Sequence, residues 1–95
     1  MMTRSECLDT AKNCVTGKRE QDYGKVEDNF FRIAELWNAY YDRNFFSPTD
    51  VAMMMALLKI ARIRTGQGTE DCFVDLAGYA ACGCEIATKK GDSNE

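Results

Sequence analysis

Lys59-Ile-Ala-Arg-Ile-Arg-Thr-Gly-Gln-Gly-Thr-Glu-Asp-Cys-Phe-Val-Asp-Leu-Ala-Gly-Tyr79 decides the fold of this chain. A basic pair, Lys59 and Arg62, closes one helical pattern, and Asp71, Asp75 and Tyr79, spaced i, i+4, i+8, open the next. Only Thr65-Gly-Gln-Gly-Thr69 lies between them, and its glycines read as a turn. The spacing therefore predicts a tight helical hairpin with cations and carboxylates facing each other.

Upstream, Ser47-Pro48-Thr49-Asp50 is a helix start, with Ser as N-cap, Pro at the first position and an acid in the first turn. The helix it opens is predicted to run to about Arg64. From Val51 to Leu58 it is apolar on every side, which predicts a central helix surrounded by protein, with three adjacent methionines as an adaptable packing surface. Downstream, Thr69 is the expected cap of a helix from Glu70 to about Thr88. Gly78, Ala80, Ala81, Gly83 and Ala87 are small enough there for close helix approach.

Towards the N-terminus, Phe30, Ile33, Ala34, Trp37, Tyr40 and Tyr41 recur at helical intervals and predict a helix over about Val26–Tyr41. Asn29 projects beside Leu36 and Tyr40, so its amide needs hydrogen-bond partners. Phe31 falls on the polar side and suggests a further contact surface. A first helix is predicted over about Thr3–Val15, with Thr3 and Glu6 spaced as a capping box and Cys7, Leu8, Ala11, Cys14 and Val15 as its apolar stripe. The segment 16–24, bounded by two glycines, reads as a loop holding at most a helical turn. The expectation is an all-α, four-helix compact bundle over residues 1–88 with a polar tail over 89–95.

The chain has 95 residues, so one domain is the limit, and a core of that size is marginal for a monomer; homo-oligomerisation is expected. A net charge of −3 without a long Lys/Arg patch argues against a nucleic-acid binder. The uncharged apolar stretch Val51–Leu58 is far too short to cross a bilayer, and a soluble, cytoplasmic protein is expected. Five cysteines, Cys7, Cys14, Cys72, Cys82 and Cys84, fit reduced core thiols better than a secreted disulfide framework. They lack zinc-knuckle spacing, and there is no histidine to assist.

Chemistry, if any, belongs to the hairpin. Lys59 and Arg62 share a face with Ala52, Met55 and Ala56 and so rise from apolar surface, where they hold a phosphate or pair with carboxylates. Asp75 lies in a nearly uncharged stretch and is expected to be partly buried and paired with Arg62 or Lys59. Asp71 and Asp75, with Glu27 or Asp28, are the candidate Mg²⁺ ligands. Without histidine, a Gly-x-Ser-x-Gly elbow or a Walker loop, triad hydrolysis and hydride transfer are set aside.

Asp22-Tyr-Gly24, Asn29-Phe-x-Arg32-Ile-Ala, Trp37, Asp50-Val, Lys59-Ile-Ala-Arg62 and Asp71-x-x-x-Asp75-x-x-Gly-Tyr79 together resemble a family of small phage and prophage proteins of uncharacterised function. The resemblance spans about Arg19 to Glu85 and implies a compact helical domain of phage origin. The layout is also distantly similar to the all-α, MazG-like nucleoside triphosphate pyrophosphohydrolases, which hold Mg²⁺ around a triphosphate. This second resemblance implies a nucleotide-like ligand, although the chain has no Glu-x-x-Glu. The residues singled out for such a ligand are Arg19, Tyr23, Asn29, Arg32, Trp37, Lys59, Arg62 and Tyr79, with Tyr23 or Trp37 stacking on a base.

Two functions follow. One is a binder of a nucleotide or nucleotide-derived phosphorylated ligand, which either sequesters a host-defence signal or hydrolyses its substrate with Mg²⁺. The other is a structural or interaction bundle whose charged residues form an internal ion-pair network.

Overall fold

Each predicted helix start can be located in the computed structural model, which describes residues 1–89 and, for Lys18, Arg19 and Tyr23, the backbone alone. Helix α1 (Arg4–Thr16) opens on the expected capping box: the Glu6 N–H donates to Thr3 Oγ1 at 3.1 Å and the Thr3 N–H to Glu6 Oε1 at 2.8 Å. The helical turn foreseen inside 16–24 is a short helix, α2 (Lys18–Tyr23), ended by Gly24 at φ 77°. Helix α3 covers Val26–Tyr41 and α4 covers Pro48–Thr65. Ser47 and Asp50 cap α4 reciprocally, with Asp50 N–H to Ser47 Oγ at 3.1 Å and Ser47 N–H to Asp50 Oδ2 at 2.9 Å.

Helix α5 (Thr69–Ala87) begins one residue earlier than expected. Its N-cap is Gly68 in the left-handed region, φ 61°, and Thr69 is the first helical residue instead of a side-chain cap. Gly66, at φ 80°, ends α4 in the same region, so both glycines carry backbone angles that other residues adopt only with strain. The described residues are all-α, as the sequence predicts. The expected polar tail lies outside them, apart from Lys89, whose ammonium pairs with the Glu27 carboxylate at the start of α3.

Helix α5 organises the packing: it has its most extensive contact with α4 and also meets α1 and α3. Glycine makes two of these approaches possible. A Cβ on Gly78 would lie 3.0 Å from Val15 Cγ1 of α1, and one on Gly83 would lie 3.1 Å from Ala52 Cβ of α4. The main core joins Val26, Phe30 and Ala34 of α3 to Val51 and Ala52 of α4 and Cys82 and Ile86 of α5.

The connection between α3 and α4 is latched by an amide that the sequence reading did not single out. Asn38 Oδ1 accepts from the N–H groups of Phe45 (2.9 Å) and Phe46 (2.7 Å), and its Nδ2 donates to the Phe46 carbonyl at 3.0 Å. With the loop so fixed, Phe46 meets Trp37 edge-on, ring centroids 5.7 Å apart.

Three packing expectations are corrected. Helix α4 is not enclosed: Val51 and Ala52 are buried, but Met53, Met54, Leu57, Leu58 and Ile60 are exposed, because α3 and α5 cover only one of its sides. On α1 only Ala11 of the expected stripe is fully buried, Cys7 and Val15 are half-buried, and Leu8 and Cys14 face outwards. On α3 Tyr40 is 94% exposed, since the chain reverses at Asp42 (φ 64°) before another element can cover it, and Tyr41, also exposed, rests its ring on Phe45 and Phe46 of the following loop. The cysteines are free thiols, with Cys72 and Cys82 buried as expected but Cys14 and Cys84 exposed.

Candidate functional site

The turn between α4 and α5 sets the two helices antiparallel, so residues whose numbers rise along α4 face residues whose numbers fall along α5. Lys59 thereby meets Asp75, Nζ to Oδ2 3.0 Å, which selects Lys59 from the two expected partners. The burial is lopsided: the Lys59 side chain is 13% exposed and that of Asp75 is 42% exposed. The lysine stem is laid along apolar surface and its ammonium reaches a carboxylate that water still touches.

The same register carries Arg62, three residues on, to the level of Asp71 and Cys72. Arg62 and Asp71 are both exposed and, among the described residues, form no ion pair within 4.0 Å. The hairpin thus holds a closed cation–carboxylate pair and, one turn towards its tip, an open one.

Tyr79 follows Asp75 by one turn of α5 and its ring leans on Phe30 of α3, centroids 6.2 Å apart. Asp75 and Tyr79 also form part of the wall of a groove of about 240 Å³ between α1 and α5. Cys14, Val15, Val74, Gly78 and Cys82 supply the remainder. The groove is therefore mainly apolar, with a carboxylate and a phenol as its ionisable oxygen groups, a surface suited to a flat or aliphatic body carrying hydroxyl or amino donors.

The other candidates are dispersed. Trp37 is half-buried against Phe46, which occupies one edge of the ring expected to stack on a base. Arg32 is exposed and Asn29 half-buried on α3, and the side chains of Arg19 and Tyr23 lie outside what is described. Of the two acids expected to supply a third metal ligand, Glu27 is engaged by Lys89, just past the end of α5 and fourteen residues after Asp75, about 21 Å along a helix at 1.5 Å per residue, and Asp28 is its exposed neighbour on α3. Among the described residues no three His, Cys, Asp or Glu side chains converge as a metal site.

A small all-α domain with a polar hairpin and an apolar side groove is the class that the geometry defines. The chain belongs to the family described as a domain of unknown function, DUF6378, whose sequence profile matches residues 6–87. It is 51% identical over 73 residues to the Gene 55 protein of Mycobacterium phage L5, covering 77% of this chain and 47% of that protein. It is 40% identical over 75 residues to the Gene 55 protein of Mycobacterium phage D29, covering 79% of this chain and 49% of that one. The chain thus spans about half the length of the curated relatives it matches. The expected membership of a small phage protein family is met. No solved structure matches the chain significantly. No helix among the described residues is long and apolar enough to cross a membrane.

Proposed function

We propose that this is a phage-encoded helical protein that binds a nucleotide or nucleotide-derived phosphorylated ligand at the α4–α5 hairpin, acting in the host cytoplasm, where it sequesters a host-defence signal. The observation that carries the reading is the open half of the hairpin. Arg62 is presented to solvent without an ion-pair partner among the described residues, one turn from a lysine already fixed by Asp75, and a planar guanidinium so placed suits a phosphate. Asp75 and Tyr79, on the groove wall, are placed to take the hydroxyl or amino groups of the attached body.

Binding is favoured over hydrolysis in this reading. A MazG-like reaction needs several oxygen ligands to hold Mg²⁺ and activate water, and among the described residues no three His, Cys, Asp or Glu side chains converge to do so. A thermal-shift screen of nucleoside triphosphates and cyclic nucleotides with and without Mg²⁺ tests both. The binder gives a raised melting temperature with no product, and the hydrolase gives pyrophosphate. A screen with neither effect rejects the ligand altogether.

A second reading, an interaction bundle with an internal ion pair, is supported by the depth of Lys59, which the Asp75 carboxylate satisfies without any ligand. Arg62→Ala separates the two. The binder loses affinity for its phosphorylated ligand at unchanged stability, whereas an interaction bundle has no such ligand to lose.

A further inference from the structure

The enclosure that the apolar sequence of α4 demands is not supplied by the described residues of the single chain. Among the described residues, five of the thirteen large hydrophobic side chains left exposed belong to this one helix. Met53, Leu57 and Ile60 succeed one another at three- and four-residue steps, with Met54 alongside, and Leu57 is 62% exposed at their centre. In projection Lys59 points to the opposite side, so this face is separate from the hairpin site and its use does not depend on the ligand proposed above.

What covers the face is written in its ends. Asp50 and Arg64 project on the same side as Leu57, seven residues before it and seven after, a heptad spacing that keeps all three on one seam. An acid at one end, a base at the other and leucine at the midpoint make a surface complementary to itself after a half-turn about Leu57. In that arrangement Asp50 meets Arg64 of a second copy, Met54 meets Ile60, Leu57 meets Leu57, and the two helix dipoles oppose. A parallel pairing would instead set acid against acid and arginine against arginine.

We propose that the outer face of α4 is the contact of an antiparallel homodimer of this chain, with the two-fold axis beside Leu57 and Asp50–Arg64 pairs at both ends. The dimer supplies the surroundings that the run Val51–Leu58 lacks in one copy. The central contact is leucine on leucine and the rim is charged, as in protein interfaces whose apolar core is ringed by polar groups.

Sedimentation equilibrium from low micromolar to several hundred micromolar concentrations tests it on the 95-residue chain. The expected mass is about twice the 10.7 kDa of one copy. Leu57→Glu, which places two carboxylates on the axis, is expected to return the chain to a monomer with unchanged helical circular dichroism, since the position is exposed. Orientation is read from cross-linking in a background with Cys7, Cys14 and Cys84 replaced by serine. Leu57→Cys is expected to form a disulfide-linked dimer on oxidation and Arg64→Cys to form none, because antiparallel helices hold the two copies of residue 64 about 21 Å apart. A wild-type monomer throughout, meaning that the face is covered by some other molecule, overturns the proposal. So does a dimer indifferent to Leu57→Glu, or cross-linking through Arg64→Cys, which marks a parallel pair.

Discussion

The Lys59 ammonium and the Asp75 carboxylate meet at 3.0 Å with unequal access to water, and the inequality fixes which partner the protein can least afford to lose. Asp75→Ala strands a nearly buried cation and is expected to cost about 1–3 kcal/mol, the desolvation penalty of an unsatisfied buried group. Lys59→Met keeps the packed stem and leaves a carboxylate that water can reach, so a cost under about 1 kcal/mol is expected. Chemical denaturation of both single variants and the double variant measures the coupling. Equal costs would refute the asymmetry.

Arg62→Ala is expected to change stability by no more than about 0.5 kcal/mol, as for a surface position without a special contact. A large fall in melting temperature would mean that Arg62 has a buried partner, contrary to its exposure here.

Gly83→Ala and Gly78→Ala form an instructive pair. Their new Cβ atoms come to 3.1 Å and 3.0 Å from a neighbour, but the neighbour of Gly83 is Ala52 Cβ, fixed to the α4 backbone, while that of Gly78 is a methyl of half-buried Val15. Alanine in a helix recovers about 1 kcal/mol over glycine, and overpacking costs about 1–3 kcal/mol. Gly83→Ala is therefore expected to be net destabilising by about 1 kcal/mol, or about 4–8 °C in a domain of this size. Gly78→Ala is expected to lie nearer to neutral, and a reversed order in thermal melts would show that α1 is held more rigidly against α5 than α4 is.

Asn38→Ala removes three hydrogen bonds at once and is expected to cost about 2–3 kcal/mol at about 1 kcal/mol per bond. Asn38→Asp keeps both acceptor contacts and loses the donor, so an intermediate cost is expected. The chain's one tryptophan, Trp37, reports directly, because release of Phe46 from its edge should shift the indole emission to the red. Unshifted emission in Asn38→Ala would show that the loop is held by its aromatic residues alone.

The helix starts were legible in the sequence because capping is local: Thr3 with Glu6 and Ser47 with Asp50 involve neighbours three residues apart. The hairpin was legible because its glycines permit the left-handed angles of a tight reversal. What a helix is packed against was less so. Val51–Leu58 is apolar all round, but periodicity cannot say whether its surroundings come from the same chain, and here α3 and α5 cover one side only. The i, i+4 spacing placed Asp75 and Tyr79 together correctly. It could not foresee that Glu27 is drawn to Lys89, since that contact joins residues 62 apart in the chain. Nor could it mark Asn38, whose role depends on a loop conformation that no local pattern specifies.

The way α1 is attached has one more consequence. Among the described residues it packs mainly on α5 and α2 and reaches the core shared by α3, α4 and α5 through Val15, so its detachment would cost that core little beyond this one side chain. Native-state hydrogen exchange should find the amides of α1 opening at a lower free energy than those of α4 and α5, as a unit of partial unfolding. Val15 and Cys14 of α1 form one side of the groove that Asp75 and Tyr79 complete. Any molecule that lodges there bridges α1 to α5, the helix with the most extensive packing. Its affinity and the amide protection of α1 are then thermodynamically linked, and one can be read from the other.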